Sequence, residues 1–318
     1  MAGRKVLVAS GSPDRINHNA ILRDYVGEGF AQVVGATNVM SCSLDHAVSA
    51  AAKFQPDLVL IFGSCMPDSC DYTGLRTSCA RSGATLAFWL HDDPYEFDFN
   101  YKIYGLADII FSNDRWATEH INHPSVHHLP LGADPAAHYR DIQSTFARDL
   151  FFCGAGFSNR VGLLADCEPL LGDLHVEVLG ADWPASLPFC SNRRIPNEVL
   201  PDYYTTSLAT LNVGRRFNLA NTKYQLDAST PGPRTFEAAL SGTVQCMYFE
   251  GVEILDYFAS DSEIIIFDSP RELSLVLCQL REEPARRRSI AQAAQRRAME
   301  EHTYAARARS ILMAVSAL

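Results

Sequence analysis

Short apolar runs alternate with amphipathic stretches along this chain, and the alternation limits its fold more than any other feature. The runs are rich in Val, Ile, Leu and Phe, as buried strands are, and the stretches between them have helical spacing. Such alternation is typical of a parallel sheet flanked by helices. In the first half, the predicted strands are residues 5–10, 32–39, 57–62, 85–90, 108–112 and, shorter, 127–130, and the predicted helices include 20–30 and 44–54 with Ser43 as N-cap.

The same alternation restarts near residue 149, which predicts a second α/β unit with strands at 149–153, 175–179, 208–213, 243–247 and 263–267. A chain of 318 residues is long for one core, because a single core stops growing near roughly 250 to 300 residues. We therefore predict two Rossmann-like, doubly wound domains, 1–138 and 139–300, facing a cleft, with a hinge within 132–144. Residues 301–318 are predicted as a helix that packs back on the first domain.

The charge balance is acidic, with 27 Lys and Arg residues against 37 Asp and Glu residues and a net charge of −10. Such a field repels a polyanion, so nucleic acid is disfavoured as the principal partner. The arginines at 286–288 and 296–297 are locally positive, and we interpret them as a solvated helix face. No apolar run approaches the roughly 18 residues of a membrane span, so we expect none.

Nine cysteines are scattered singly along the chain, several of them inside apolar runs. An odd number without a disulfide framework favours a reducing compartment. The first apolar run ends at Ala9, far short of a signal-peptide core. We therefore expect a cytoplasmic protein. Only Cys65, Cys70 and Cys79 cluster, and their spacing matches no zinc pattern, so we predict free thiols and no metal site.

Two predicted strand ends in the first half carry candidate functional residues. Gly11 and Ser12 follow the first strand, where backbone N–H groups could approach a phosphate or a sugar oxygen; a plain tight turn is the alternative. His91, Asp92 and Asp93 follow the strand at 85–90 directly. One of these three could face an acceptor hydroxyl as general base or as a partner that steadies charge at the reacting carbon, whereas a solvated acidic turn is the alternative.

Two predicted helix starts in the second half are suited to an anion. The loop after the strand at 149–153 carries Gly156, and Arg160 at the helix start adds a positive charge; an ordinary surface cation is the alternative. The helix that starts with Pro233 carries Arg234 in its first turn, and Glu237 lies on the same face. A diphosphate would meet a guanidinium there, but an internal i,i+3 salt bridge is an equally simple explanation.

Four passages of the second half resemble the CgeB-like (spore maturation protein) branch of group 1 glycosyltransferases: FFCGAGFSNR, LNVGRR, PGPRTFEAALSG, and a tail from EILDYF through DSEIIIF to HTYAAR. The R-x-F/x-E-A-x-x-x-G core of the third passage and the H-T-Y-x-x-R ending of the tail are the most specific for this family. FWLHDDPYEFD, ADIIFSND and HHLPLGADPAAHY resemble the same family's first domain more loosely. The resemblance implies the GT-B fold, in which two Rossmann-like domains share a cleft.

The resemblance also implies roles for single residues. Glu237 would bind the donor ribose, Arg234 its diphosphate, and Arg160 would be a second phosphate partner. The nucleobase of the donor would lie near residues 194–196, which include Ile195. Group 1 enzymes of the retaining kind often carry another glutamate eight positions before Glu237, where this chain has Ser229. Donor contacts and anomeric stereochemistry therefore stay open. The residues predicted to bind the donor are, in full, Gly11, Ser12, Gly156, Arg160, Ile195, Pro233, Arg234, Thr235 and Glu237.

These features predict a glycosyltransferase that moves a sugar from a nucleoside diphosphate sugar to a hydroxyl of a small molecule or glycan. No cofactor is expected, and arginines would replace the metal ion, since Asp92 and Asp93 are adjacent and form no Asp-x-Asp box. One alternative is a nucleotide-sugar epimerase or hydrolase on the same scaffold. A nucleotide- or glycan-binding protein without catalysis is another, suggested by Ser229.

Overall fold

A computed structural model describes residues 3–17, 19–63 and 70–318 of the chain. Two six-stranded sheets organise it, and every pair of neighbouring strands is parallel. The predicted α/β fold with two parallel sheets is therefore confirmed. Because parallel strands need crossover connections, helices lie between most of them.

The described residues of the first half form six strands and four α-helices. The strands are β1 (Val6–Ser10), β2 (Val39–Cys42), β3 (Leu58–Phe62), β4 (Thr85–Leu90), β5 (Ile109–Ser112) and β6 (Val126–His128). The helices are α1 (Ala20–Val34), α2 (Leu44–Phe54), α3 (Thr73–Ser82) and α4 (Arg115–His120). The strand order β2-β1-β3-β4-β5-β6 reverses its direction of growth between β1 and β3. Ligands of open α/β sheets bind at such switch points, outside the carboxyl ends of the strands.

The second half contains another six strands and seven helices. The strands are β7 (Arg148–Ala155), β8 (Val176–Ala181), β9 (Cys190–Ser191), β10 (Ser207–Asn212), β11 (Val244–Tyr248) and β12 (Ile265–Phe267). The helices are α5 (Pro135–His138), α6 (Ser158–Cys167), α7 (Leu200–Thr205), α8 (Pro233–Leu240), α9 (Pro270–Glu282), α10 (Pro284–Glu301) and α11 (Tyr304–Ser316). Their strand order β12-β11-β10-β7-β8-β9 has its switch point between β7 and β10.

One predicted strand is wrong. Residues 32–34 belong to the end of α1, and β2 begins only at Val39. The Val33-Val34 pair has strand propensity, but Val34 packs in the core as part of the helix, so tertiary packing overrides the local preference. Ser43 does precede α2 as predicted, yet its hydroxyl makes no capping bond and accepts the amide N–H of Asp14 instead.

The chain forms two compact units, and the first is discontinuous. It comprises Met1–Asp134, Asn218–Thr230 and Thr303–Leu318, and the second comprises Pro135–Phe217 and Pro231–His302. This division differs from the predicted domains 1–138 and 139–300, because Asn218–Thr230 lies with the first unit.

Two carboxylates hold Asn218–Thr230 within the first unit. Asp98 accepts the amide N–H and the hydroxyl of Thr222, at 2.6 and 2.7 Å. Buried Asp114 accepts the amide N–H groups of Ser229 and Thr230, at 2.7 and 3.2 Å. Ser229 is thus anchored by a carboxylate of the first unit.

The C-terminal helix packs within the first unit, as predicted. The Thr303 hydroxyl caps α11 by accepting the Ala306 amide N–H. Gly29 of α1 allows the close contact, since a Cβ there would lie 2.5 Å from the carbonyl carbon of Tyr304. The Arg307 guanidinium donates to the carbonyl oxygens of Pro130 and Leu131 at 2.8 and 3.0 Å.

Each sheet has its own hydrophobic core. Phe88 and Leu60 are fully buried in the first unit, and Phe267 and Leu211 are buried in the second. The eight cysteines in the described ranges are free thiols, while Cys65 lies outside those ranges. Among the described residues, no helix is both long and apolar enough to cross a membrane.

Candidate functional site

At the switch point of the first sheet, the loops after β1, β3 and β4 converge. The Gly11 amide N–H donates to the carbonyl oxygen of Phe62, and the Gly63 amide N–H donates to that of Trp89, at 2.8 and 3.0 Å. Gly63 has φ of 139°, and a Cβ on it would lie 3.0 Å from the Gly11 nitrogen and 3.6 Å from His91 Nε2. Glycine is therefore required at position 63 by both space and backbone conformation.

His91 lies beside this glycine pair in a buried position. Its Nδ1 is 3.1 Å from Asp92 Oδ2, and its ring centroid is 4.9 Å from that of Phe62. Burial lowers the pKa of His91, but the charge and hydrogen bond of Asp92, the Glu96 charge and a backbone hydrogen bond together raise it more, so the net shift is upward. A carboxylate that accepts from Nδ1–H leaves Nε2 as the nitrogen able to take a proton.

Asp93 points into the interior and is 3% exposed. Its Oδ2 accepts the Ser112 hydroxyl at 2.6 Å, and its Oδ1 accepts the Asn100 side-chain amide at 2.8 Å. Burial raises the pKa of Asp93 to about 7, although the two hydrogen bonds oppose the shift. Both oxygens thus already have donors from the protein, which favours an orienting role in the loop over contact with an acceptor.

The predicted donor contacts of the first unit are partly engaged by the protein itself. The Gly11 carbonyl oxygen accepts the Tyr72 hydroxyl at 2.5 Å, so both polar backbone groups of Gly11 have partners within the unit. Ser12 is half-buried. The Arg23 guanidinium donates to the Ser10 hydroxyl and to Asp14, at 2.8 and 2.7 Å. This loop is a braced turn, and its role on the donor stays a prediction.

In the second unit, Arg160 spans the switch point between β7 and β10. Its guanidinium donates to the carbonyl oxygens of Ala155, Val213 and Gly214 at 3.1, 3.0 and 3.1 Å. It also lies 5.1 Å from the ring centroids of Phe152 and Phe157. Arg160 therefore joins the ends of two strands and is not an ordinary surface cation. Its contact with a donor phosphate stays a prediction.

Gly156 precedes α6 as predicted, but it makes a tight backbone contact. Its amide N–H donates to the Ala181 carbonyl at 2.8 Å. A Cβ there would lie 2.6 Å from the carbonyl oxygen of Asp182. Close approach of two loops explains this glycine without a ligand.

The first turn of α8 brings the other predicted donor residues together. Pro233 begins the helix, and Thr235 is buried beneath it. Arg234 is 40% exposed and donates to Glu237 Oε2 at 2.6 Å and to Asn197 Oδ1 at 3.1 Å. The Glu237 side chain is 2% exposed. The i,i+3 salt bridge considered from the sequence is thus present.

Further side chains complete this cluster. His138 Nε2 lies 3.7 Å from Glu237 Oε1, and Ile195 packs with Tyr204 and Ala238 in one apolar cluster. Burial lowers the pKa of Arg234, but Glu237 and, to a lesser degree, Tyr204 and Cys153 together raise it more, so the guanidinium stays charged. The half-exposed Arg234 charge at a helix N-terminus can receive an anion.

Sequence reasoning missed four residues of these two sites. Gly63 and Tyr72 shape the first, and Asn197 and His138 contact the Arg234–Glu237 pair in the second. Gly63 carried a usable signal, since it directly follows a predicted strand. The other three act across the fold from loops or short helices, where no local pattern marks them.

Comparison with solved structures shows the fold of the whole chain. HepE from Anabaena, in a crystal structure with UDP and glucose, is 10% identical, with a TM-score of 0.66 over 99% of this chain and 100% of its own. Sucrose-phosphate synthase from Thermosynechococcus elongatus is 11% identical, with a TM-score of 0.60 over 98% of both chains. A putative UDP-N-acetylglucosamine 2-epimerase from Listeria monocytogenes is 11% identical, with a TM-score of 0.56 over 98% of this chain and 96% of its own.

Identities this low establish the fold alone, and that fold is GT-B. No curated protein matches the sequence. Residues 163–313, from α6 to α11, match the family model described as glycosyl transferase-like. This match supports glycosyl transfer and does not indicate the CgeB-like branch. The chain thus has the GT-B fold and carries, over residues 163–313, the sequence pattern of the glycosyl transferase-like family.

Proposed function

We propose that the protein transfers a sugar from a nucleoside diphosphate sugar to a hydroxyl group of a small-molecule or glycan acceptor, without a metal ion. The proposal rests on Arg234, which is half-exposed in the first turn of α8 and donates to Glu237 and Asn197. A guanidinium with fixed partners meets a diphosphate with little loss of side-chain freedom. The GT-B fold and the family match support the same reaction.

In this reaction, negative charge develops on the leaving diphosphate, and the protein must stabilise that charge. Preorganised donors stabilise such developing charge best, because they need no reorganisation during the reaction. Arg234 supplies a positive charge, and the N-terminus of α8 adds backbone N–H groups and the helix dipole. We propose that these groups do the work of a divalent ion. Activity that EDTA abolishes and Mg²⁺ or Mn²⁺ restores would contradict this part.

Two roles remain for Glu237. The ribose contact that the resemblance implies stays a proposal, and it requires the buried carboxylate to become accessible when the donor binds. Its contact with Arg234 supports a second role, in which Glu237 orients the guanidinium. Glu237→Ala with two ligands separates the roles: binding of pyrophosphate, which has no ribose, should weaken only if Glu237 orients Arg234, whereas loss of a ribose contact alone should weaken UDP binding and spare pyrophosphate.

The test is titration calorimetry with UDP and a panel of other nucleoside diphosphates. Arg234→Ala should weaken binding by about tenfold to a hundredfold, since hydrogen bonds to charged groups contribute about 1.5 to 3 kcal/mol. Arg286→Ala is the matched control, because Arg286 is 39% exposed and also forms an i,i+3 pair, with Glu283. Absence of binding by every diphosphate, or equal affinity in the wild type and Arg234→Ala, would refute the proposal.

A nucleotide-sugar epimerase or hydrolase is the second candidate, and the fold likeness to the putative 2-epimerase from Listeria monocytogenes favours it. These activities need no acceptor, so the experiment omits one. The protein is incubated with UDP-N-acetylglucosamine alone, and proton NMR follows the sugar and the nucleotide. Rapid epimerisation or UDP release would favour the second candidate, whereas turnover that starts only after acceptor addition would favour transfer.

A further inference from the structure

An open depression of about 340 Å³ lies on the first unit, between the start of α3 and the 3₁₀ helix Phe97–Ile103. Asp71, Tyr72 and Thr73 line one side, and Tyr101 and Lys102 line the other. The volume falls within the roughly 300 to 1,000 Å³ of small-molecule sites. None of these five residues entered the sequence prediction.

The depression is joined to the switch point of the first sheet through Tyr72. The hydroxyl of this wall residue donates to the Gly11 carbonyl oxygen at 2.5 Å. Gly11 in turn bonds Phe62, whose ring lies 4.9 Å from the His91 ring. A ligand in the depression would therefore touch a residue that braces the loops around His91.

The polar groups of the depression balance in charge. Hydrogen bonds from the Thr73 amide N–H and hydroxyl lower the pKa of Asp71, so its carboxylate is ionised at neutral pH. Lys102 contributes one ammonium group on the opposite side. One negative and one positive charge favour a neutral ligand that both donates and accepts hydrogen bonds, and Asp71 disfavours a phosphate.

Tyr101 adds a flat apolar surface. Its side chain is 63% exposed, although a phenol ring gains free energy from burial. The C–H face of a saccharide ring can cover such an aromatic ring while its hydroxyls reach Asp71, Thr73 and Lys102. A polyhydroxylated ring therefore fits the lining better than an apolar molecule or an anion.

We propose that this depression binds a neutral saccharide as the acceptor, with Tyr101 under the sugar ring and Asp71 and Lys102 on its hydroxyls. The inference rests on the proposed transferase function and specifies its acceptor class. It assigns the specificity for the acceptor to α3 and the 3₁₀ helix of the first unit.

Saturation-transfer NMR with saturating UDP tests the proposal, using methyl α- and β-glucopyranoside, maltose and cellobiose as probes. At least one probe should bind the wild type, and Tyr101→Ala should weaken it about three- to tenfold, the range of an aromatic contact. Asp71→Asn should weaken the same probe. Tyr139→Ala is the matched control, because this tyrosine is exposed and lies outside the depression, in the second unit.

Two results with these neutral probes would overturn the proposal: no probe binds the wild type, or Tyr101→Ala binds as the wild type does. Glucose 1-phosphate is tested as an anionic probe, and the proposal also fails if it alone binds and Lys102→Ala abolishes that binding. The last would indicate an anion site. UDP affinity is measured on the same samples by calorimetry, and it should be equal in all variants, which also verifies their folding. Failure of the wild type to bind any nucleoside diphosphate would refute the proposed function, whatever the saccharide result.

Discussion

At the switch point of the first sheet, two glycines bring the backbone of three strand ends close to the His91 ring. At the switch point of the second sheet, the Arg160 side chain fills the corresponding place and bonds three carbonyl oxygens. A histidine can exchange a proton near neutral pH, whereas an arginine cannot. The same topology thus holds a titratable group in one unit and a fixed structural cation in the other.

The difference separates two kinds of consequence. Substitution of His91 should change chemistry with little effect on stability, and substitution of Arg160 should do the reverse. In the second unit, the proposed diphosphate contact lies not in the switch loop but in the first turn of α8, where Arg234 is half-exposed. The measured effects of substitutions in the two units test this division.

The largest expected effect is on turnover, at His91. His91→Ala should lower kcat by about 10² to 10⁴-fold, the usual contribution of general-base catalysis, while donor affinity stays unchanged. His91 ranks first because its Nε2 can take a proton while Asp92 holds Nδ1. Asp92→Asn should cause a smaller loss, because it removes only the orienting charge. Steady-state kinetics and UDP titration are the measurements, and a kcat within about threefold of wild type would exclude His91 as the base.

The next effect is on stability, at Arg160. Arg160→Ala removes charged hydrogen bonds to three carbonyl oxygens, of which those of Ala155 and Gly214 keep a second donor. It should lower the free energy of unfolding by about 2 to 3 kcal/mol. Urea denaturation measures it, with exposed Arg286→Ala as the control that should change stability by less than about 0.5 kcal/mol. A stable Arg160→Ala variant with much weaker UDP binding would instead restore the phosphate role implied by the resemblance.

The third effect uses two glycines next to Arg160. Gly156→Ala places a Cβ 2.6 Å from the Asp182 carbonyl oxygen and should destabilise by about 2 kcal/mol, because backbone must move. Gly162→Ala, inside α6 with open space around it, should stabilise by about 0.5 to 1 kcal/mol through helix propensity. Thermal unfolding of both variants should shift in opposite directions. Equal shifts would contradict the packing explanation for Gly156.

Much of the fold could be predicted from the sequence because parallel strands are continuous apolar runs bounded by breakers. Predicted strand 85–90 matches β4, and predicted helix 44–54 matches α2. The return of Asn218–Thr230 to the first unit could not be predicted, because Asp98 and Asp114 lie more than 100 positions away in the chain. Long-range carboxylate contacts leave no periodic signal.

The candidate sites were predictable to a lesser degree. The positions of Gly11, His91 and Arg160 after the carboxyl ends of strands were predictable, since these ends gather at one edge of a parallel sheet. Their functional roles stay predictions. The partners of these side chains were not predictable. Three backbone carbonyls around Arg160 and two donors around Asp93 come from other elements, and backbone carbonyls carry no sequence identity.

The smallest expected effect concerns pH and Asp93. Burial raises the pKa of Asp93 to about 7, with the Asp114 and Asp92 charges acting in the same direction. The folded state therefore holds a proton that the unfolded state releases near pH 4. The stability gained from that proton is complete below about pH 4 and is lost as the pH rises through about 7.

Asp93→Asn imitates the protonated carboxyl group and should remove this pH dependence. The Asn100 amide can turn its oxygen toward the new amide, and the Ser112 hydroxyl can still donate, so the hydrogen-bond pair survives. Relative to wild type, the variant should gain up to about 1.4 kcal/mol of unfolding free energy as the pH rises from 5 to 6. Urea denaturation across that range measures the difference. A constant difference would mean that Asp93 stays ionised in the folded protein, and that the loop bearing His91 holds a buried charge like the one at Arg160.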